Sequence, residues 1–415
     1  MIHQYRPNFD WHELLALLCP VNGRSKFESA LAARVGARFG IAFAYGRSGV
    51  IAACKALGLT QMEIIVPAYT CGAIVEAVTV SGNRPIFVDI DLADYNMDIS
   101  AIKRALTSQT RAIIATCMYG YPADIEAIRA TAGDERIIII EDNALLGPVA
   151  GCSGEASLRG DIAFYSFGPG KHLYAVQGGV VVTNSANLYE KIKAYRDQDM
   201  GRLPWRVWAK RLARLMTGYM MLNSFMLEAW NKANQVGSMA RIRDRLGLTR
   251  TYMPGDYATA FANFQGRVGL AQLSKFDTVL DKRRALAEFY DSKLRDVPGI
   301  TPAPIIPGAT YALYTVRVER RDEIDFRRRM LARGIEVGAV FDYVVANRKP
   351  YQPHVNWTFP HAEQAAREVV NLPTYAGLSA TDIRHIIESS HAVSKEIRSS
   401  EALKHNIRQV LSENS

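Results

Sequence analysis

Short apolar runs alternate with amphipathic stretches through the first half of the chain. The runs of strand length lie at 41–44, 64–66, 85–88, 112–116, 136–140, 162–167 and 179–183. Between them, helices are predicted at 25–38, 46–57, 72–80, 99–106 and 124–132. Ser25 and Glu28 have the spacing of a capping box, which places the start of the first helix at Ser25. The repeated strand–helix units predict an α/β fold with a mostly parallel sheet and helices on both faces.

The four consecutive isoleucines at 137–140 indicate how this sheet is covered. Because they do not alternate with polar residues, both faces of their strand are expected to be buried. After about residue 270 the pattern becomes helix-rich and predicts a smaller α+β domain. The predicted division is an N-terminal segment at 1–24, a large α/β domain at 25–265, a small C-terminal domain at 266–393 and a helical tail at 394–415.

Composition narrows the class of protein. Of 415 residues, 48% are apolar and 22% are charged, which is typical of a globular chain and excludes global disorder. The five cysteines form no CxxC pair and no cluster with histidine, so a disulfide framework or a zinc site is not expected, and a reducing cytoplasm fits best. No uninterrupted run of 18 apolar residues is present, so neither a secretory leader nor a conventional transmembrane helix is predicted.

The net charge of +9 belongs to one segment. Residues 201–250 contain ten Lys or Arg and two acidic residues, whereas the rest of the chain is balanced, so no nucleic-acid partner is expected. Within the segment, apolar residues recur at helical spacing, at Trp205, Trp208, Leu212, Leu215, Tyr219, Leu222, Met226 and Ala229. Two interpretations remain open. The stripe packs against the body or a second subunit, or it lies on an anionic membrane surface.

Three short motifs follow predicted strands and could carry chemistry. Gly46-Arg47-Ser48-Gly49 opens a helix whose backbone N–H groups could bind phosphate. Asp142 ends the isoleucine strand, and Lys171 lies in a Gly/Pro-rich loop after Ser166. Each motif alone has a simpler explanation, as a turn, a helix cap or a solvated lysine. Together they supply what pyridoxal 5′-phosphate needs, which is a lysine for covalent attachment, a carboxylate for the ring nitrogen and groups for the phosphate.

The chain resembles the DegT–DnrJ–StrS family of pyridoxal-phosphate-dependent sugar aminotransferases, which have fold type I. The similar stretches are 45–59, 66–70, 85–91, 141–142, 166–171, 178–183, 268–273, 359–363 and 371–375. The resemblance implies that Lys171 carries the cofactor and moves the proton, that Asp142 pairs with the ring nitrogen, and that the phosphate is held by Gly46, Arg47, Ser48 and Ser166. It also implies a homodimer with sites at the interface, glutamate as amino donor and a keto-sugar as acceptor.

The sequence departs from this family at five places. Arg47 replaces the Thr of the phosphate turn and could contact the phosphate directly. Leu145 replaces a residue that hydrogen-bonds the ring hydroxyl, and Cys71 occupies the position of the aromatic residue that stacks on the ring, for which Tyr69 could substitute. Ala258-Thr259-Ala260 replaces an Asn-Tyr-Arg motif whose Asn reaches across the dimer, and the segment at 201–250 is longer than usual. A sugar dehydratase is therefore one alternative, although dehydratases of the family have His in place of Lys171. The other is a catalytically degraded member that acts as a membrane-associated assembly partner.

Overall fold

A computed structural model describes residues 1–6, 8–149, 158–220, 253–319, 323–349, 351 and 357–413. In the first part of the chain the helices are α1 (Trp11–Leu18), α2 (Gly23–Arg34), α3 (Gly46–Ala56), α4 (Gly72–Val80), α5 (Ile99–Ala105), α6 (Ile125–Ala132), α7 (Ala186–Asp199) and α8 (Trp205–Met220). The strands there are β1 (Phe39–Phe43), β2 (Glu63–Pro67), β3 (Arg84–Val88), β4 (Thr110–Thr116), β5 (Ile138–Asp142), β6 (Ile162–Ser166) and β7 (Gly179–Thr183).

These strands form one sheet in the order β1-β7-β6-β5-β4-β2-β3. β7 is antiparallel to both of its neighbours, and the other pairs are parallel, which confirms the predicted mostly parallel sheet. Ile139 packs in one hydrophobic cluster and Ile140 in another, on opposite faces of the sheet. Both faces are therefore buried, as the unbroken isoleucine run predicts.

The predicted start of α2 is wrong. The helix begins at Gly23 because Asn22 is its cap, and the Asn22 side chain accepts a hydrogen bond from the Ser25 N–H. Glu28 is directed elsewhere. Its carboxylate accepts from the Ala42 N–H at 2.7 Å and pairs with Arg196 at 2.7 Å, so it joins α2 to β1 and α7.

The second part of the chain begins with α9 (Asn263–Ser274) and α10 (Phe276–Leu294), and continues with α11 (Glu323–Ala332), α12 (Pro360–Glu368) and α13 (Ala380–Glu413). A small antiparallel sheet has the order β10-β9-β8, from β8 (Ile300–Pro302), β9 (Tyr314–Val318) and β10 (Val369–Leu372). The predicted boundaries at 265/266 and 393/394 fall inside α9 and α13, and the division into domains stays a prediction.

The helix α8 belongs to the body of the molecule for much of its length. Leu215 is fully buried in the cluster that covers β6 and β7, and Leu212, Met216 and Tyr219 pack partly buried against the same cluster. Trp205 and Trp208, at the start of the helix, are 73% and 42% exposed. Leu222, Met226 and Ala229 of the predicted stripe lie outside the described residues. No helix among the described residues is long and apolar enough to span a membrane.

Candidate active site

The carboxyl ends of β4, β5 and β6 open into a pocket of about 890 Å³. Six of the eight predicted site residues line it, namely Gly46, Arg47, Cys71, Asp142, Ser166 and Lys171. Ligands of open α/β sheets bind at this edge, because the loops that follow the strands meet there. Residues from motifs that are far apart in the sequence therefore lie in one pocket, as the cofactor hypothesis requires.

Lys171 is placed by a loop that leaves the sheet and returns to it. The Phe167 N–H donates to the Gly178 carbonyl at 2.9 Å, and the Lys171 N–H donates to the Gly168 carbonyl at 3.3 Å. A side chain on Gly179 would clash with the backbone of Gly46. The glycine at 179 therefore lets the turn that begins α3 lie directly on β7, beside the lysine loop.

Asp142 is buried at the end of β5, opposite Thr116 of β4. Its carboxylate accepts from the Ala144 N–H at 3.1 Å and from the Thr116 hydroxyl at 3.3 Å. Burial raises the pKa of Asp142 to about 6, and the positive charge of Lys171 opposes the rise. Among the described residues, no Lys or Arg lies within salt-bridge distance of this carboxylate.

Burial acts in the opposite direction on Lys171. It lowers the pKa of the ammonium group, while the neighbouring Cys71 and Asp142 oppose the shift. A larger share of the lysine is then the neutral amine, which can attack a carbonyl or accept a proton. The site thus combines a nucleophilic amine with a buried carboxylate.

Glu141 and Asp142 are adjacent in sequence but have different surroundings. Glu141 is buried, and its carboxylate accepts from the backbone N–H groups of Arg159 and Gly160, at 2.7 and 2.5 Å. Successive side chains of a strand point to opposite faces, so only Asp142 of the pair lines the pocket. Glu141 holds the chain that enters β6.

Two predicted site residues do not line the pocket. Ser48 is fully buried, and its hydroxyl donates to the Tyr257 carbonyl at 2.7 Å. Tyr69 is also fully buried, with its hydroxyl 2.5 Å from that of Tyr119. Phe341, from the second part of the chain, does line the pocket, and its ring centroid is 6.0 Å from that of Tyr69. Phe341 is thus one of the aromatic residues that line the pocket, whereas Tyr69 is not.

Sequence reasoning missed other residues of the pocket wall. Thr116 could have been found, because it is a polar residue at the carboxyl end of a buried strand. Phe341 and Tyr5 come from distant parts of the chain, and no local pattern marks them. Arg214 is one of the ten basic residues of 201–250, and no local pattern indicates that it lines the pocket.

The pocket fits pyridoxal 5′-phosphate. A protonated pyridine nitrogen would supply the cation that the buried Asp142 carboxylate lacks among the described residues. The turn at Gly46 and Arg47 presents a helix N-terminus to the pocket, as a phosphate group requires. Cys71, Leu145 and Phe341 provide largely apolar walls for a ring. Leu145 cannot donate a hydrogen bond to the ring hydroxyl, so that departure from the family remains.

The chain belongs to the DegT/DnrJ/EryC1/StrS aminotransferase family, whose model matches residues 21–391. It is 26% identical over 372 residues to the GDP-perosamine synthase of Escherichia coli O157:H7, with 88% of each chain covered. It is 28% identical over 368 residues to the UDP-2-acetamido-2-deoxy-3-oxo-D-glucuronate aminotransferase of Pseudomonas aeruginosa, covering 87% of this chain and 88% of that protein.

The structure of DesV from S. venezuelae is similar, with a TM-score of 0.71 and 25% sequence identity over 92% of this chain and 94% of that one. The predicted fold type I architecture is therefore confirmed. Family membership also confirms the predicted enzyme class, a pyridoxal-phosphate-dependent aminotransferase, and its cofactor. The roles of the individual site residues stay predictions.

Proposed function

We propose that this enzyme moves an amino group from glutamate to a keto-sugar that is nucleotide-linked or lipid-linked, in the assembly of a polysaccharide, glycolipid or antibiotic sugar. The observation that carries the proposal is that Lys171 and Asp142 face one pocket beside the turn at Gly46 and Arg47. The relative from Pseudomonas aeruginosa is named for transfer to an oxo-sugar nucleotide, and that name supports a keto-sugar acceptor here.

Lys171 and Asp142 have different roles in the proposed reaction. When bound, the cofactor supplies a carbonyl that receives the amino group and a ring that accepts electrons. Lys171 would hold the cofactor covalently and, after the amino group of glutamate has displaced it, would accept at Nζ the proton from the α-carbon of glutamate. Asp142 holds the ring nitrogen protonated and charged. The same lysine would return a proton to the carbon of the keto-sugar acceptor.

The lysine favours amino transfer over dehydration, the first alternative. Dehydratases of the family are expected to have His at this position, and the chain has Lys171. His172 does not replace it, because it is buried away from this pocket with its Nε2 3.0 Å from the Thr310 hydroxyl. Burial also lowers the pKa of His172 well below its usual value. The second alternative, a degraded enzyme, is addressed by experiment.

Absorbance spectroscopy of the purified protein with glutamate tests the function. We expect an absorbance band of bound pyridoxal phosphate that glutamate converts to the band of the amine form, with one equivalent of 2-oxoglutarate released per site. Borohydride reduction before glutamate is added should place the pyridoxyl group on Lys171, and Lys171→Ala should lack it. A protein that binds the cofactor but releases no 2-oxoglutarate would contradict amino transfer from glutamate.

We further propose that the enzyme is a cytoplasmic homodimer that binds the inner face of a membrane peripherally. The exposed Trp205 and Trp208 support membrane binding, together with the exposed Arg206 and Lys210 on the same helix. The helix α1 adds further exposed apolar side chains, which are Trp11, Leu14, Leu15 and Leu18. Both helices border the first turns of α9, since Trp208 packs on Phe264 and Arg267 donates to the Cys19 carbonyl. Among the described residues, the proposed membrane contact within 201–250 therefore comprises the beginning of α8, and α1 extends it.

A further inference from the structure

The helix α8 forms part of the active-site wall. Arg214, Thr217 and Gly218 line the same pocket as Lys171 and Asp142. Leu215, the residue after Arg214, is fully buried in the core. The backbone of Arg214 is therefore held by packing of the helix on its own protomer, and its side chain is exposed at the pocket.

Arg214 is a cation that lacks an ion-pair partner among the described residues. Its Nη1 donates to the side-chain oxygen of Gln177 at 2.8 Å, which is a neutral partner. The other arginine of the pocket, Arg47, lies 3.6 Å from the carboxylate of Glu76. Arg214 thus brings to the pocket a positive charge that the described carboxylates leave unmatched.

A chain of hydrogen bonds connects Arg214 to the N-terminus of α3. Gln177 donates to Asp256 at 3.4 Å, and Asp256 accepts from the hydroxyl of Tyr45, the N-cap residue of α3, at 2.7 Å. Burial and Asp256 raise the pKa of Tyr45 to about 12, and the charge of Arg214 opposes the rise. The helix end and the guanidinium group both favour an anion in the space between them.

The segment at 258–260 contributes no such charge. It contains Ala258, Thr259 and Ala260, and it is tied to its own protomer by Arg211. The Arg211 guanidinium donates to the Ala260 carbonyl at 2.7 Å and to the Thr259 hydroxyl at 2.6 Å. Of the two arginines that line the pocket, Arg214 on α8 is therefore the one that has no carboxylate partner among the described residues.

We propose that Arg214 binds the phosphate group of the cofactor from within the same protomer. The inference rests on the proposed function only in taking this pocket as the cofactor's. The phosphate carries two negative charges near neutral pH, and a guanidinium group can donate two hydrogen bonds to its oxygens. The added helix thus completes the cofactor site as well as covering it.

Binding of pyridoxal phosphate and of pyridoxal to the apoenzyme tests the proposal. Both aldehydes attach to Lys171 in the same way, so the ratio of their dissociation constants isolates the phosphate. Removing one charge-assisted contact is worth about ten- to a hundredfold in affinity. We expect Arg214→Gln to weaken binding of pyridoxal phosphate by that factor, measured by absorbance titration, and to leave binding of pyridoxal unchanged.

Two variants serve as controls. Arg206→Gln removes an exposed arginine from the same helix, and its ratio should equal that of the wild type. Arg214→Lys keeps the charge and should recover part of the lost affinity. An unchanged ratio in Arg214→Gln, or equal weakening of both aldehydes, would overturn the proposal. An unchanged ratio with a raised KM for the keto-sugar would overturn it too and assign Arg214 to the substrate. A wild-type protein that binds neither aldehyde would instead refute the proposed function.

Discussion

At the scale of single residues, the ionised carboxylate of Asp142 destabilises the fold at the position where the proposed chemistry requires a negative charge. Asp142 is buried, and its two hydrogen bonds come from neutral groups, the Ala144 N–H and the Thr116 hydroxyl. Because its pKa is raised to about 6, ionisation of this carboxyl group in the apoenzyme lowers the free energy of unfolding. The pyridine nitrogen of the cofactor offsets that cost when it binds as a cation.

This cost predicts that Asp142→Asn makes the apoenzyme more stable. The pKa of Asp142 is raised in the fold, so the wild type loses stability as the pH rises from about 4 to about 6, and the loss is complete above that range. The rise in the pKa of Asp142 to about 6 corresponds to about 3 kcal/mol in the free energy of unfolding. Urea unfolding of the apo forms should show an advantage of about this size for the variant at pH 8, and a smaller one at pH 5.

The same substitution should lower turnover by orders of magnitude, because a neutral amide does not keep the ring nitrogen protonated. Turnover close to that of the wild type would show that Asp142 only caps the segment after β5. A stability difference that does not change with pH would show that ionisation of Asp142 has no part in the effect.

At the scale of elements, α8 combines two functions that its sequence pattern does not separate. The apolar stripe is visible from the spacing of Leu212, Leu215 and Tyr219, and these residues pack on the body. The burial of Arg211 and the contact of the exposed Arg214 with the pocket are not visible, because an arginine on a basic helix is ordinarily solvated. Their partners lie more than thirty residues away in the chain, so no local pattern pairs them.

Urea unfolding tests whether α8 is part of the fold. Arg211 is fully buried and pairs with Asp256 at 3.2 Å, so Arg211→Ala should destabilise the protein by about 3 kcal/mol or more. Leu215→Ala should cost about 2–5 kcal/mol. Trp205→Ala, at an exposed position of the same helix, should stay within about 0.5 kcal/mol of the wild type. Equal effects of Arg211→Ala and Trp205→Ala would contradict the packing of α8.

At the scale of the whole molecule, the regular strand–helix alternation made the large sheet predictable. The isoleucines of β5 predicted that both faces of the sheet are buried. The glycines around Lys171 predicted a loop between two strands. Contacts between distant segments were not predictable. Phe341 reaches the pocket from the second part of the chain, and Tyr69 is placed in the core by Tyr119. Such contacts depend on how helices and loops pack, which one sequence does not specify locally.

Liposome flotation tests the proposed membrane surface. Binding should require acidic lipid and should fall with added salt, since each Lys or Arg near an anionic surface contributes about 1 kcal/mol. Replacing Trp205 and Trp208 together by Ala should reduce it strongly. Phe289→Ala, at a 45% exposed aromatic residue on α10, is the matched control and should bind as the wild type does. A protein that ignores acidic liposomes at low salt would rule out this surface.

The pairing of Arg211 with Asp256 constrains how such a chain can have evolved. A helix like α8 that arrived with a buried guanidinium and no carboxylate opposite would cost several kcal/mol, enough to unfold a marginally stable enzyme. A carboxylate present beforehand would cost less, because the side chain at position 256 is 22% exposed and can be hydrated. The acidic residue at 256 therefore either preceded the arginine or appeared together with it. Arg211 is therefore tolerated only in a chain that has the carboxylate, and once the arginine is buried, Asp256 can no longer be replaced without a large loss of stability.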